Sequence, residues 1–527
     1  MTNTIKLGPF LGINNRLPDS ALHIRTRQLQ GDYLKDALNV DIDDAGRLRR
    51  RRTYTLLQAL PGAHSLFMVG ETSGYLVMDS VLYAITLPEY SQALTALLTS
   101  NAPMSYVYEN GSVYYSNGTD SGRIAGTTRY PLGLPTPASP AVAGIGGSLF
   151  NGWYQVGVSY YNADTGEEGG ISASANMQLT LGGIRVTLPG ATPGATHVNV
   201  YLSGANGELP RLATTVAVGT ATVDLITQAT GKESNGRFEE PLPAGRLFVA
   251  NGRLCSHKGG MVYVGLPYRH GYYLPAEGYI PFAADVSNAV SCQGGTYVVA
   301  DKTYWIPGDL GDVEDTIPTV LPYGGVPGTT FEFPDKSKVG WFGAKGVVFG
   351  TPNGEVEAVM SDNIDLTPPD SGFSVVLTDA GYRRVASCGW CVNLDNKATT
   401  RYDWDLTSAS GGYATNSDGI CQTGIMAAEW WVDFGKVDFG TDELKYLPAA
   451  YLGGVCDEPW ILSVGLPSGE TYEYPSRSYP ADLSVQRVDV GKGLRSSWFE
   501  LSLTNKTGAD FTLASVAFAP TNAQRRI

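Results

Sequence analysis

The feature that most constrains this chain is a hairpin-like pattern that returns at regular intervals. MSYVYENGSVYYSNG (residues 104–118) alternates aromatic and aliphatic residues around Asn110-Gly111. Both central positions of a type I′ turn need a positive φ, which Asn and Gly adopt at least cost, so the pair predicts two antiparallel strands in fixed register. GRLFVANGRLC (245–255) turns in the same way at Asn251-Gly252. GGTYVVADKTYWI (294–306) turns at Asp301-Lys302, and GWFGAKGVVFG (340–350) turns around Lys345, ahead of a further Asn-Gly at 353–354. These later turns lie 50 and 44 residues apart, from 251 to 301 and from 301 to 345. Removing an insertion of roughly a hundred residues between 111 and 251 leaves a comparable step. A period of about 40–50 residues of hairpin pattern is what β-propeller blades give. Residue identities do not repeat with it, and an irregular multi-sheet β protein would read much the same.

Composition agrees with strands and excludes other classes. Glycine takes 64 and proline 31 of the 527 positions, which leaves little room for long helices. A hydrophobic content of 43% with only 17% charged residues excludes intrinsic disorder. We therefore expect an all-β chain: a β-propeller-like core, an inserted immunoglobulin- or fibronectin-like sandwich, and a C-terminal β-sandwich. Prolines mark the edges of the insertion, with Pro135, Pro137 and Pro140 before it and Pro241 and Pro243 after it. Between them lie WYQVGVSYYNADTGEEGG, IRVTLPG, THVNVYLSG and TVDL, short strands separated by glycine turns. The expected divisions are 1–140 for the N-terminal segment and first blades, 141–240 for the insertion, 241–370 for the remaining blades, and 371–527 for the C-terminal sandwich. Hairpin signals weaken after residue 366.

The opening MTNTIKLGPFLGINNR lacks the apolar run of a signal peptide. The longest uncharged stretch, 130–163, is broken by four prolines and reads as linker plus strand rather than a membrane span. Six scattered cysteines are too few for a disulfide scaffold, and the expected compartment is a reducing cytosol. A formal charge of −14 disfavours a broad nucleic-acid-binding face. It is compatible with a wall past which nucleic acid slides without sticking.

Catalytic patterns are absent: there is no G-x-S-x-G, no phosphate-cradling G-x-x-x-x-G-K-[ST] and no H-E-x-x-H. The five histidines (23, 64, 197, 257, 270) stand far apart, and Ser417-Asp418-Gly419 is a fragment of a sialidase box. Asp41, Asp43 and Gly46 match three positions of a calcium loop, but Arg52 stands where a bidentate acid is required, so the segment reads as a turn. Cys388-Gly389-Trp390-Cys391 has redox-dithiol spacing in strand-like flanks, which favours a structural role over chemistry. Asp309, Asp312, Glu314 and Asp315 form an acidic loop, read as solvated rather than cation-binding. Arg49, Arg50, Arg51 and Arg52, with Arg47 ahead of them, are the one strong basic run. As a strand it would place Arg49 and Arg51 on one face and Arg50 and Arg52 on the other. Two readings stay open: a grip on an acidic neighbouring subunit or DNA phosphate, and a charged edge strand that resists aggregation. No enzyme activity, cofactor or metal is expected.

Four segments together resemble a family. LGINNRLPDSAL…ALNVDIDDAGRLRRRRTY is similar to the G-I…A-x-N…G-x-L-x-x-R opening of bacteriophage tail nozzle proteins, also called tail tubular protein B or tail hub. GRLFVANGRLCSHKGGMVYVGLPY resembles a propeller strand pair of that family, and YQVGVSYYNADTGEEGGIS with THVNVYLSG resembles its inserted module. GKGLRSSWFELSLTNKTGADFTLASVAFAP…RRI is similar to C-terminal domains of phage tail proteins. The resemblance implies a structural virion protein of the tail, assembled in the host bacterial cytoplasm. Its partners would be further copies of itself, commonly a homo-hexamer, together with the head-to-tail adaptor and tail fibres or tip proteins. Genomic DNA would pass through its lumen unbound, and its tip would contact the host envelope. Six copies at −14 each would carry −84 around that lumen. A distal hub of a long-tailed phage and a carbohydrate-binding β-propeller are the alternatives.

Overall fold

The structure is a computed structural model, and it describes residues 4–24, 30–88, 93–126, 128–234, 238–313, 316–477, 482 and 484–523. The fold is all-β and propeller-like. One 3-10 turn, Asp19–Ala21, is the sole helical element among the described residues, and none of them forms a helix long and apolar enough to cross a membrane. The chain divides into two compact units. One holds residues 1–79, 85–92 and 319–527, and the other holds 80–84 and 93–318.

The second unit is built from small antiparallel meanders. Ser105–Glu109, Ser112–Ser116, Ser121–Ala125 and Thr128–Tyr130 form one, and Arg246–Ala250, Arg253–Lys258, Met261–Tyr263 and Tyr279–Pro281 form the next. Asn288–Cys292, Gly295–Val299 and Thr303–Pro307 follow. The expected turns form: Asn110 and Gly111 take φ of 50° and 74°, and Asn251 and Gly252 take 49° and 72°. The first strands of successive meanders lie side by side, which is the blade-to-blade relation of a propeller. All five residues of Gly295–Val299 are buried, as a strand covered on both faces requires. Between the first two meanders the chain forms a sandwich. Ala141–Leu149, Gly182–Thr187 and Thr222–Leu225 make one sheet. Gly152–Asn162 leads the other, pairing with Ala175–Leu179 and His197–Leu202. Tyr154, Val156, Val158, Ile184, Val198 and Val200 fill the space between them.

The other unit carries three more four-stranded meanders. The first runs through Phe331–Glu332, Val339–Gly343, Gly346–Gly350 and Val356–Ala358. The second runs through Ser374–Leu377, Arg384–Ser387, Trp390–Asn393 and Thr399–Arg401. The third, Ser408–Ser410, Tyr413–Thr415 and Gly419–Gly424, is completed by Thr53–Ala59 in register from Thr53↔Gly424 to Ala59↔Gly419. A strand from the start of the chain therefore closes the last meander. Gly419 permits the approach, because a Cβ there would sit 2.1 Å from the Gln58 carbonyl oxygen. First strands again lie side by side, from Phe331–Glu332 through Ser374–Leu377 to Ser408–Ser410.

Meanders therefore continue to Gly424, beyond the boundary expected at 371, and the C-terminal sandwich begins at Trp431. One of its sheets runs Trp431–Val437, Phe499–Thr504, Ile461–Gly465, Thr471–Pro475. The other runs Val40–Ile42, Leu48–Arg50, Phe511–Phe518, Ala449–Cys456, Ser484–Asp489. Phe499–Thr504 and Phe511–Phe518 alternate buried and partly exposed residues, the period-two pattern of strands with one face on a core. Leu48, Trp430, Phe434, Trp460, Leu501 and Phe518 belong to that core, with the Trp430 and Phe511 rings 3.9 Å apart. The N-terminal segment supplies strands to both sheets, since Asp36–Leu38 pairs antiparallel with Trp431–Val437.

Candidate functional site

The arginine run forms a strand only to Arg50, and Arg51 and Arg52 continue as irregular chain. The strand is not an edge, because it lies between Val40–Ile42 and Phe511–Phe518. Aggregation defence at an edge is therefore not its role. Four of the five guanidinium groups bind their own chain. Arg47 and Arg49 each point Nε at Asp43 Oδ2, at 2.8 and 3.0 Å. Arg50 is buried and donates to the carbonyls of Ile425 and Met426. Arg51 Nε donates to Asn39 Oδ1 at 2.7 Å, and the group lies over the Tyr402 ring beside Asp403. Arg52, half-buried, has no side-chain partner among the described residues and alone keeps its charge uncommitted.

The acids beside the run are equally occupied. Asp41 is 1% exposed, accepts from Tyr382 Oη at 2.8 Å and from the Tyr402 hydroxyl, and forms an ion pair with Arg384 Nε at 3.0 Å. Burial, with Asp41 beside them, pushes both phenols well above their usual range. Asp43 Oδ1 accepts from the Ala45 and Arg47 amides, which closes the turn, and Asp44 accepts from Asn393. This is turn chemistry with no carboxylate left over for calcium.

Cys388 and Gly389, with φ of 52° and 78°, are the two central residues of the hairpin turn that pairs Ser387 with Trp390. Cys391 points into the Asp41 cluster, its Sγ 3.7 Å from Asp41 Oδ1. Burial raises both thiols, Cys388 to about 11, so neither is a ready thiolate at neutral pH. Asp309 accepts from Arg253 and from the Gly311 amide, each at 2.9 Å. Glu314 and Asp315 lie outside the described residues. His257 is held neutral by burial, its pKa lowered to about 4. Among the described residues, no three His, Cys, Asp or Glu side chains converge in a way that could hold a metal.

Sequence reasoning missed a polar cleft of about 420 Å³ within the second unit. Three stretches build it: the Asn110-Gly111 hairpin with the strands that follow it, residues 165–168 of the inserted sandwich, and residues 268–270 after Pro267. Asn110 Nδ2 lies 3.0 Å from His270 Nε2, and the Tyr114 ring packs edge-on against that imidazole. Burial lowers the His270 pKa, so the ring is neutral. Arg123 lies 3.9 Å from Glu167, and Glu167 accepts from Tyr272 Oη at 2.8 Å. Arg269 is tied to Glu239 at 2.9 Å and stacks over Tyr272.

Tyr268 stands apart from these paired groups. It follows Pro267 in the two-residue turn between the paired residues Leu266 and Arg269. Its φ is +61° and it is 97% exposed. Proline followed by a positive φ is the pattern of a type II turn, whose second central residue is ordinarily glycine. The only signal in the sequence was that Pro-aromatic pair inside otherwise strand-like GLPYRHGYY, where a tyrosine reads as strand.

No protein-family model and no curated protein matches the chain. Solved structures similar to it include the WD40 β-propeller domain of Doa1, at 9% identity over 64% of this chain and 94% of that one, with a TM-score of 0.26. YCF48 bound to D1 peptide is 10% identical over 64% of this chain and 92% of that one, at 0.25. An exo-β-1,3-galactanase from Phanerochaete chrysosporium with galactose is 12% identical over 88% of this chain and all of that one, at 0.18. A glycoside hydrolase family 43 arabinoxylan arabinofuranohydrolase from Bacillus subtilis is 11% identical over 80% and 96%, at 0.19. Because enzymes stand among these neighbours, the expectation that the chain is not an enzyme is withdrawn. TM-scores this low assign no activity in its place.

Proposed function

We propose that the chain is a tail nozzle or hub component of a bacteriophage virion, assembling as a ring whose lumen extends the DNA channel below the head-to-tail adaptor. The observation that carries this reading is that each letter behind the resemblance meets a packing or hydrogen-bonding requirement of the fold. In the pattern G-I…A-x-N…G-x-L-x-x-R, Gly12 has φ +107° and passes so close to Thr399 that a Cβ would lie 2.5 Å from its amide nitrogen. Ala37 and Leu48 are fully buried. Asn39 takes φ +57°, donates to the Glu429 carbonyl at 2.7 Å, and accepts from Arg51, the arginine of the pattern. Gly46 takes φ +74° against Pro9.

The opening is also paired with the ending that carries the rest of the resemblance, with Leu48 opposite Leu513 and Arg49 opposite Thr512. The net charge supports a conduit: like charge on a wall keeps DNA from adhering. With Arg47, Arg49, Arg50 and Arg51 bound internally, Arg52 is the member of the run left for a neighbouring subunit or a phosphate. Sedimentation velocity of the purified full chain tests the reading. A species near six times the monomer mass is expected, and a monomer at every concentration would contradict it.

A further inference from the structure

We propose that the cleft lined by Tyr268 is a saccharide-binding site, with the exposed tyrosine as its stacking platform. A non-glycine residue held at left-handed φ costs stability, and a bulky aromatic there is a genuine outlier. A residue kept in such a conformation normally gains something from the fold. Tyr268 gains nothing visible: its ring is 97% exposed and makes no hydrogen bond, ion pair or ring contact among the described residues. The compensation is then external to the chain, where strain of this kind is found at ligand clamps.

The chemistry of the cleft selects the class of ligand. A pyranose presents an apolar C–H face to an aromatic ring and, around its rim, hydroxyls that both donate and accept. The cleft offers both kinds of partner within one small volume: the Asn110 amide, the Ser112 and Thr165 hydroxyls, the Tyr114 phenol, and the Arg123–Glu167 pair. Its two arginines do not make it an anion site. Arg269 is tied to Glu239, and Arg123 faces Glu167 across 3.9 Å. A neutral or mildly acidic sugar fits that balance better than a phosphate. A peptide would need an apolar groove or an unpaired strand edge, and the lining is largely polar side chains.

This inference is independent of the nozzle reading, because it concerns one unit of one copy. The full-length chain is applied to a printed glycan array carrying neutral and uronic-acid-containing bacterial and plant oligosaccharides, and each hit is titrated by calorimetry. The wild type is expected to bind at least one printed glycan. Tyr268→Gly should weaken that binding by about tenfold or more, the loss expected for an aromatic anchor. The same substitution should raise Tm by about 2 °C by relieving the backbone, so lost binding cannot be mistaken for misfolding. Asn110→Ala should weaken binding as well, and Tyr472→Ala, in the other unit, should leave it unchanged. No bound glycan, Tyr268→Gly binding as wild type, or selective capture of peptides through Tyr268 would each overturn the proposal. Ring assembly is scored separately by sedimentation, so either reading can fail alone.

Discussion

The arginine run and the Tyr268 turn are opposites in how visible they are and how they are used. The run is the most conspicuous chemistry in the sequence, yet the fold engages nearly all of it: Asp43 takes Arg47 and Arg49, two backbone carbonyls take Arg50, and Asn39 takes Arg51. The Tyr268 turn looks like ordinary strand sequence, yet the fold holds its ring in a costly conformation and gives it no partner. A dense charge cluster points to function only after its internal partners have been counted. A strained residue without partners points there directly.

The comparison can be broken at its strongest point by removing Asp41. Taking one partner out of a buried ionic cluster leaves the others uncompensated, so Asp41→Ala should destabilise the unit holding Arg384 and Tyr402 by about 3–5 kcal/mol in urea melts. A loss under about 1 kcal/mol would mean that the acids of this turn are not structural.

Asp433 is an intermediate case, a carboxylate that is buried but poorly compensated. Burial, with Glu500 and Asp19 nearby, raises its pKa to about 6 from 3.8. A folded-state pKa above the unfolded one means the folded chain binds the proton more tightly, so stability falls as pH rises from about 4 through 6. Asp433→Asn can keep the bond from the Gly435 amide. It should stabilise the protein by about 2 kcal/mol at pH 7, and the gain should vanish by pH 4. A gain that is the same at both pH values would assign the effect to something other than titration.

Within the run itself the ranking is sharp. Arg51→Ala should cost about 1.5–3 kcal/mol through its charged hydrogen bond to buried Asn39, while Arg52→Ala should change stability by less than about 0.5 kcal/mol. Equal effects would erase the distinction between spent and free charge. One expected effect is a gain: Tyr268→Gly should add about 1 kcal/mol by removing the left-handed strain.

The hairpins were legible because their turns have a steric signature. Asn110-Gly111 and Asn251-Gly252 sit at positive φ, where few other pairs are comfortable, and the flanking alternation does the rest. The boundary near 371 was not legible, for two reasons. The meanders beyond it turn on less diagnostic pairs such as Cys388-Gly389. The last one is completed by Thr53–Ala59, a pairing across more than three hundred residues that no local period encodes. Alternation alone cannot tell that Arg51 and Arg52 leave the sheet. The cleft was invisible for a related reason, since it is assembled from segments distant in sequence and its anchor occupies a position where glycine is the usual letter.

The central claim, that this chain forms the wall of a DNA conduit, is tested most directly by electron microscopy of the purified full-length protein. The account predicts class averages of a six-fold ring with an open axial channel, its lining rich in Asp and Glu at higher resolution. Isolated particles without a ring, or a ring whose channel is lined by a net-basic surface, would contradict it.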